Sequence, residues 1–107
     1  MAQTPEGRVK ARVAITLKEM GIWYFMPPAN GYGRAGIPDF IGCMNGGLIA
    51  IEAKAGKNKP TALQLRELER IQAAGGLSLV IDESNITQLK EILEKWVRNR
   101  WLPGADE

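Results

Sequence analysis

Apolar and polar residues alternate along this 107-residue chain in segments of helical periodicity and short strand-like runs. The first segment predicts a helix that begins after the N-cap Thr4, with Pro5 at its first position, and that ends at Gly21. The apolar and aromatic run at residues 22–26 predicts a first strand, because two consecutive prolines follow it. The chain is therefore expected to begin with a helix and a strand.

The next two strand-like runs, residues 37–44 and 48–53, are joined through Asn45-Gly46, a pair favoured in two-residue type I′ turns. With this turn, Asp39 and Glu52 are antiparallel partners whose Cβ atoms lie about 5 Å apart. Like charges opposed in an apolar hairpin are destabilising, so one carboxylate holds a proton or a cation lies between them. Lys54 is expected on the same face of the hairpin.

This register depends on which residues make the turn. A turn on Gly46-Gly47 would place Asp39 opposite Lys54 and diagonal to Glu52, still on one face. A three-residue loop would shift the pairing by one residue and so move Asp39 and Glu52 to opposite faces of the sheet, unless a G1 bulge restored the alternation. The two-residue turns bring the acids and the lysine together, whereas the three-residue loop needs the bulge.

The second half of the chain predicts a helix, a strand and a last helix. Thr61 and Gln64 match a capping box, and Gly75-Gly76 ends the helix that they begin. The continuous apolar run at residues 77–81 is typical of a strand covered on both faces. The last helix carries a broad apolar stripe, whose Trp96 and Trp101 are interpreted as core or dimer contacts rather than as base-stacking platforms.

These elements predict one α/β domain over residues 1–107, with the order αβββαβ plus a C-terminal helix. A mixed sheet flanked by helices is expected, since a hairpin is followed by a helix and a further strand. Hydrophobic residues make up 45% of the chain and charged residues 24%, as in soluble globular proteins.

The amino-acid composition excludes several classes of functional site. The chain has one cysteine, which cannot form an intrachain disulfide, and no histidine, which excludes zinc sites built on histidine and histidine-based catalytic triads. A net charge of +2 and a pI near 8.8 permit nucleic-acid binding without requiring it. No apolar run approaches the roughly 20 residues that span a bilayer, and the N-terminus lacks the apolar core of a signal peptide. A cytoplasmic protein without a membrane segment is expected, in a host cell if a phage encodes it.

Several polar residues near the acidic pair have two interpretations each. Glu6 lies on the apolar stripe of the first helix, where it either complements the helix dipole or points towards the acidic pair. Gln64 either caps its helix or reaches the carboxylates from the first turn. Arg34 in the glycine-rich loop, with Lys57 and Lys59 after the hairpin, either contacts phosphates or lies in solvent.

Glu6, Gly36-Ile37-Pro38-Asp39, Glu52-Ala53-Lys54 and Gln64 together resemble the motifs of the VRR-NUC family, a branch of the PD-(D/E)XK nuclease superfamily. The resemblance covers the chain from Glu6 to about Asp82. It implies a restriction-endonuclease-like core and a phosphodiesterase that depends on Mg²⁺, for which Mn²⁺ can substitute. Small stand-alone members in phages are similar to archaeal Holliday junction resolvases.

The resemblance also implies roles for individual residues. The Ala53 backbone carbonyl joins the side chains of the acids in the metal site, and Lys54 acts as an electrostatic clamp on the phosphate. The implied catalytic residues are Glu6, Asp39, Glu52, Lys54 and Gln64; the metal ligands are Glu6, Asp39, Glu52 and Ala53; the substrate-binding residues are Arg34, Lys57 and Lys59.

The expected function is a Mg²⁺-dependent, structure-selective DNA endonuclease that acts on branched or four-way DNA. One site per chain cannot cut two opposed strands together, so a homodimer is expected, with the final helix and Trp23 or Tyr24 as candidate interface residues. Two alternatives stay open: a nuclease subunit of a larger repair or restriction assembly, and a non-catalytic nucleic-acid-binding module.

Overall fold

The computed structural model describes residues 3–28 and 35–100. The observed order of elements agrees with the predicted order, and the α/β class is confirmed. No helix in these two ranges is long and apolar enough to cross a membrane. The elements are α1 (Pro5–Glu19), β1 (Trp23–Phe25), β2 (Phe40–Met44), β3 (Gly47–Ala53), α2 (Ala62–Ala73), β4 (Leu77–Ile81), a short 3₁₀ helix (Ile86–Gln88) and α3 (Leu89–Arg100).

The four strands form one mixed sheet in the order β1-β2-β3-β4. The β1–β2 and β2–β3 pairs are antiparallel, whereas β3 and β4 are parallel and are connected through α2. The expectation that β4 is covered on both faces agrees with the core on one face of this strand and α2 on the other, although the cover is incomplete. Only Ile81 of this strand is buried, since β4 lies at the edge of the described sheet and the rest of the strand is half-buried.

The helix ends follow the predicted capping chemistry. The Thr4 hydroxyl accepts a 3.0 Å hydrogen bond from the Gly7 N–H at the start of α1. At the end of this helix, Gly21 adopts a φ of 69°, a left-handed conformation that glycine tolerates without strain. The capping box of α2 is present in both directions between Thr61 and Gln64. Local sequence therefore determines where these two helices begin.

The β2–β3 hairpin uses the Asn45-Gly46 turn. Asn45 and Gly46 have φ values of 49° and 81°, as a type I′ turn requires, and Met44 pairs with Gly47. Phe40 pairs with Ile51 further along, so the two other registers are excluded. Alternation along β3 then directs Ile51 and Glu52 to opposite faces of the sheet.

The main core lies between one face of the sheet and the helices α1 and α3. Leu17 of α1, Ile51 of β3 and Leu89 of α3 are completely buried in this core. The Trp96 ring of α3 lies so close to Gly47 that any β-carbon at position 47 would overlap it. Leu89 and Leu93 of the final apolar stripe are buried in the core, whereas Ile92, Trp96 and Val97 are half-buried. Trp101 lies outside the described residues.

The opposite face of the sheet is only partly covered, because α2 packs mainly against β4 at one side. Beyond α2, Trp23 and Phe25 on β1 lie on this face, with ring centroids 5.8 Å apart. Leu48 of β3 is on the same face. Trp23 is 65% exposed, and Phe25 and Leu48 are each more than two-fifths exposed. We call these three residues the open apolar face.

Candidate metal-binding and catalytic site

The acidic pair lies at the end of the β2–β3 hairpin that is remote from the turn. Asp39 directly precedes β2, and the register continues from Phe40 and Ile51 towards Asp39 and Glu52. Asp39 Oδ2 accepts a 2.8 Å hydrogen bond from the Ala53 N–H. This bond fixes one oxygen of Asp39 against the end of β3 and leaves Oδ1 for other partners.

Gly36, three residues before Asp39, allows the backbone of this segment to pass close to α2. Its φ is 83°, and a β-carbon there would lie 2.5 Å from the Leu63 carbonyl oxygen. Only glycine lets the backbone pass so close to the first turn of α2. The segment that carries Asp39 is therefore held between α2 and the end of the sheet.

Glu52 is a buried acid with incomplete pairing. Its side chain is on the face of the sheet opposite the main core, and the residue is 2% exposed. Its Oε2 lies 3.3 Å from Lys54 Nζ, while Oε1 has no hydrogen-bond partner among the described residues. Burial, and secondarily the negative charge of Asp39, raise the pKa of Glu52 to about 7 although the Lys54 ammonium opposes this rise.

Glu6 is linked to Asp39 by a lysine that the sequence analysis did not identify. Lys10, one turn after Glu6 on α1, places its Nζ 3.7 Å from Glu6 Oε2 and 3.5 Å from Asp39 Oδ1. A cation therefore lies between Glu6 and Asp39, which is a different pair from the opposed carboxylates Asp39 and Glu52. The spacing of four residues from Glu6 was visible in the sequence, but the nearness to Asp39 was not.

These residues fit a hard divalent cation. Oxygen donors are what Mg²⁺ prefers, and the unpaired, buried Oε1 of Glu52 is an atom that a cation would satisfy. A bound cation would also relieve the repulsion between Asp39 and Glu52. Within the described residues, no three acidic or cysteine side chains are already arranged as a metal site.

Gln64 has the local role that capping alone predicts. Its Oε1 accepts a 2.9 Å hydrogen bond from the Thr61 N–H, and its own N–H donates to the Thr61 hydroxyl over 3.2 Å. The close approach of Gly36 nevertheless places the first turn of α2 beside the segment that carries Asp39. The capping interpretation is confirmed by these contacts, and a catalytic role for Gln64 stays a prediction.

The structure describes two of the three predicted substrate-binding residues, Lys57 and Lys59. Lys57 and Glu6 line a solvent-open cavity of about 590 Å³, together with Arg8 of α1. Lys59 is exposed and lies near Asp82, whose pKa is lowered mainly by hydrogen bonds from Ser84 and to a smaller extent by the charge of Lys59. Arg34 lies outside the described residues. The structure therefore brings Lys57 next to the acidic cluster, and it adds Arg8 as a neighbour.

In the comparison with known proteins, no family model matches the chain. A solved structure described as a VRR_NUC domain has a TM-score of 0.67 and 26% sequence identity, and the match covers 88% of this chain and 99% of that one. The chain has a VRR_NUC fold. The resemblance that the motifs indicated is thereby confirmed at the level of the fold.

A second relative carries the name "Putative nuclease p44" and comes from Acyrthosiphon pisum secondary endosymbiont phage 1. It is 40% identical to this chain over 58 residues, which are 53% of the chain and 62% of that protein. The match thus spans less than two thirds of the phage protein.

Proposed function

We propose that this chain is a Mg²⁺-dependent endonuclease that hydrolyses phosphodiester bonds in DNA. The observation that carries the proposal is the buried Glu52, which shares the end of the hairpin with Asp39 and Lys54 and has an unpaired Oε1. A structural ion pair would not need a second carboxylate beside it, because that carboxylate raises the electrostatic free energy of the folded state. The VRR_NUC fold and the phage nuclease relative support this proposal.

In this proposal, Asp39, Glu52 and the Ala53 carbonyl hold the metal, and Glu6 completes the site directly or through water. When bound, Mg²⁺ supplies a positive charge for the phosphate oxygens and lowers the pKa of its water molecules. Asp39 is oriented for this role because the Ala53 N–H fixes its Oδ2. The burial of Glu52 excludes water and strengthens its electrostatic interactions.

Lys54 is proposed to stabilise the negative charge that develops on the phosphate. Its side chain is 12% exposed and its ammonium group is paired with Glu52 Oε2, so it is held beside the metal ligands. A charge held in place in this way needs no reorganisation during the reaction. Lys57, beside Glu6 at the cavity, is proposed to contact the phosphate backbone, a type of contact that adds affinity without sequence information.

The proposed substrate is branched DNA, and a four-way junction is the first candidate. This extension rests on the similarity of small VRR-NUC proteins to junction resolvases. Labelled four-way, flap, duplex and single-stranded DNA should be incubated with the protein in Mg²⁺ or in EDTA, with Asp39→Asn as the inactive control. We expect cleavage in Mg²⁺ only, with preference for branched DNA. Binding without cleavage in any metal would instead favour the non-catalytic module.

We further propose a homodimer, because two opposed strands require two sites in fixed relation. The open apolar face supports this proposal better than the final helix does, since Trp23 and Phe25 are exposed whereas Leu89 and Leu93 are buried. Mixing active protein with excess Asp39→Asn should give heterodimers that nick only one strand of a four-way junction. A monomer by light scattering, with unpaired nicks, would remove the resolvase assignment and leave the nuclease assignment intact.

A further inference from the structure

Lys10 lies between two of the proposed metal ligands, Glu6 and Asp39. Asp39 has one oxygen bound to the Ala53 N–H, and its other oxygen, Oδ1, lies 3.5 Å from Lys10 Nζ. The same ammonium group is 3.7 Å from Glu6 Oε2. Lys10 thus faces the Asp39 oxygen that is available to a metal, and it connects this oxygen to the acid on α1.

We propose that Lys10 is the internal counter-ion of Glu6 and Asp39, and that a divalent metal ion bound by these carboxylates displaces its ammonium group. This inference rests on the proposed metal-dependent function. The lysine is neutralising in the metal-free protein, because its ammonium group lies within 4 Å of a carboxylate oxygen of both Glu6 and Asp39. It is displaceable, because its side chain is 34% exposed and ends in a compact charge on a flexible stem.

The charges determine the direction of the effect. A divalent ion and an ammonium group that share two carboxylates repel one another over a few ångströms, and both compete for the same oxygens. Removing the ammonium group should therefore tighten metal binding about tenfold. The same change should lower the melting temperature of the metal-free protein by a few degrees, since Glu6 and Asp39 lose their counter-ion.

The variant Lys10→Met keeps the length of the side chain and removes its charge, and Lys10→Gln is a second neutral variant that keeps polarity. Lys18→Met is the matched control, because it removes the same charge from an exposed position of the same helix. Lys10→Arg keeps a positive charge and should bind metal as the wild type does. Calorimetric titration with Mn²⁺ in the absence of DNA measures affinity, and melting in EDTA and in Mn²⁺ measures stability.

We expect both neutral Lys10 variants to bind Mn²⁺ about tenfold more tightly than the Lys18→Met control and to melt below it in EDTA. In saturating Mn²⁺ this difference in melting temperature should disappear or reverse. The counter-ion inference would be overturned if the neutral Lys10 variants bound Mn²⁺ no more tightly than the Lys18→Met control, or if they melted at the same temperature as the control in EDTA. In that case the proposed metal site would still stand, provided that the wild-type protein binds Mn²⁺. A wild-type protein that shows no Mn²⁺ binding would overturn both.

Discussion

The two ends of the β2–β3 hairpin differ in how their local interactions are satisfied. At the turn, Asn45 and Gly46 adopt the backbone angles that a type I′ turn requires, and Trp96 fills the space above Gly47. At the other end, Asp39 and Glu52 place two negative charges side by side, and one oxygen of Glu52 is buried without a described hydrogen-bond partner. The turn end of the hairpin stabilises the fold. The acidic end destabilises it, as groups in functional sites commonly do.

The largest effect is expected at the acidic end. Asp39→Asn removes a proposed metal ligand but keeps an oxygen that can accept from the Ala53 N–H. Cleavage of branched DNA should fall about 10³-fold or more, because the charge stabilisation supplied through a bound metal amounts to several kcal/mol. Circular dichroism and DNA binding should stay close to wild type. Retained turnover in a rigorously purified Asp39→Asn sample would remove the metal site from the proposal.

The second prediction concerns how pH affects the metal-free protein. The folded-state pKa of Glu52 is about 7, above its ordinary value of 4.5. Between these values the folded protein retains a proton that the unfolded chain releases, so stability is lost as pH rises through this range. The loss is of the order of 3 kcal/mol. Melting of the wild type and of Glu52→Gln should be compared in EDTA from pH 4 to pH 8.

Glu52→Gln cannot undergo this titration, so its stability relative to the wild type should increase as pH rises. Glu69→Gln is the control, because Glu69 is an exposed acid on α2. This control should follow the pH dependence of the wild type. If the difference between wild type and Glu52→Gln stayed constant across the range, the strained-acid description of this end of the hairpin would be wrong.

At the turn end, Gly47→Ala should destabilise the fold by roughly 1–3 kcal/mol, because the added methyl group would overlap the Trp96 ring. Denaturant unfolding measures this loss. In a Trp96→Leu background the same substitution should be less costly, since the overlapping ring is absent, and a double-mutant cycle would quantify the coupling. Cleavage activity below the melting temperature should remain near wild type. An equal cost in both backgrounds would place the strain elsewhere.

The smallest effect distinguishes capping from catalysis at Gln64. Gln64→Ala and Thr61→Ala each break the capping box, so each should lower the unfolding free energy by about 1 kcal/mol. If Gln64 only caps the helix, both variants should cleave DNA at the wild-type rate. A loss of kcat in Gln64→Ala that Thr61→Ala does not share would instead assign Gln64 to the reaction.

Local sequence predicted the order of elements and the helix caps, and it favoured the hairpin register that the structure selects among three alternatives. Each depends on residues close in the chain: Thr4 with Gly7, Thr61 with Gln64, and Asn45 with Gly46. The register in turn predicted that Asp39 and Glu52 share one end of the hairpin. Sequence was less informative for β4, because an apolar run does not reveal whether a strand lies at the centre or at the edge of a sheet.

Sequence by itself predicted that Asp39, Glu52 and Lys54 lie near one another, because turn chemistry and the two-residue period of a strand relate their positions. Tertiary structure decided how their charges are balanced. Lys10 and Asp39 are 29 residues apart in the chain, and they meet because α1 packs against the sheet. The burial that raises the pKa of Glu52 likewise depends on packing, since the free energy of a charge is set by what surrounds it in space.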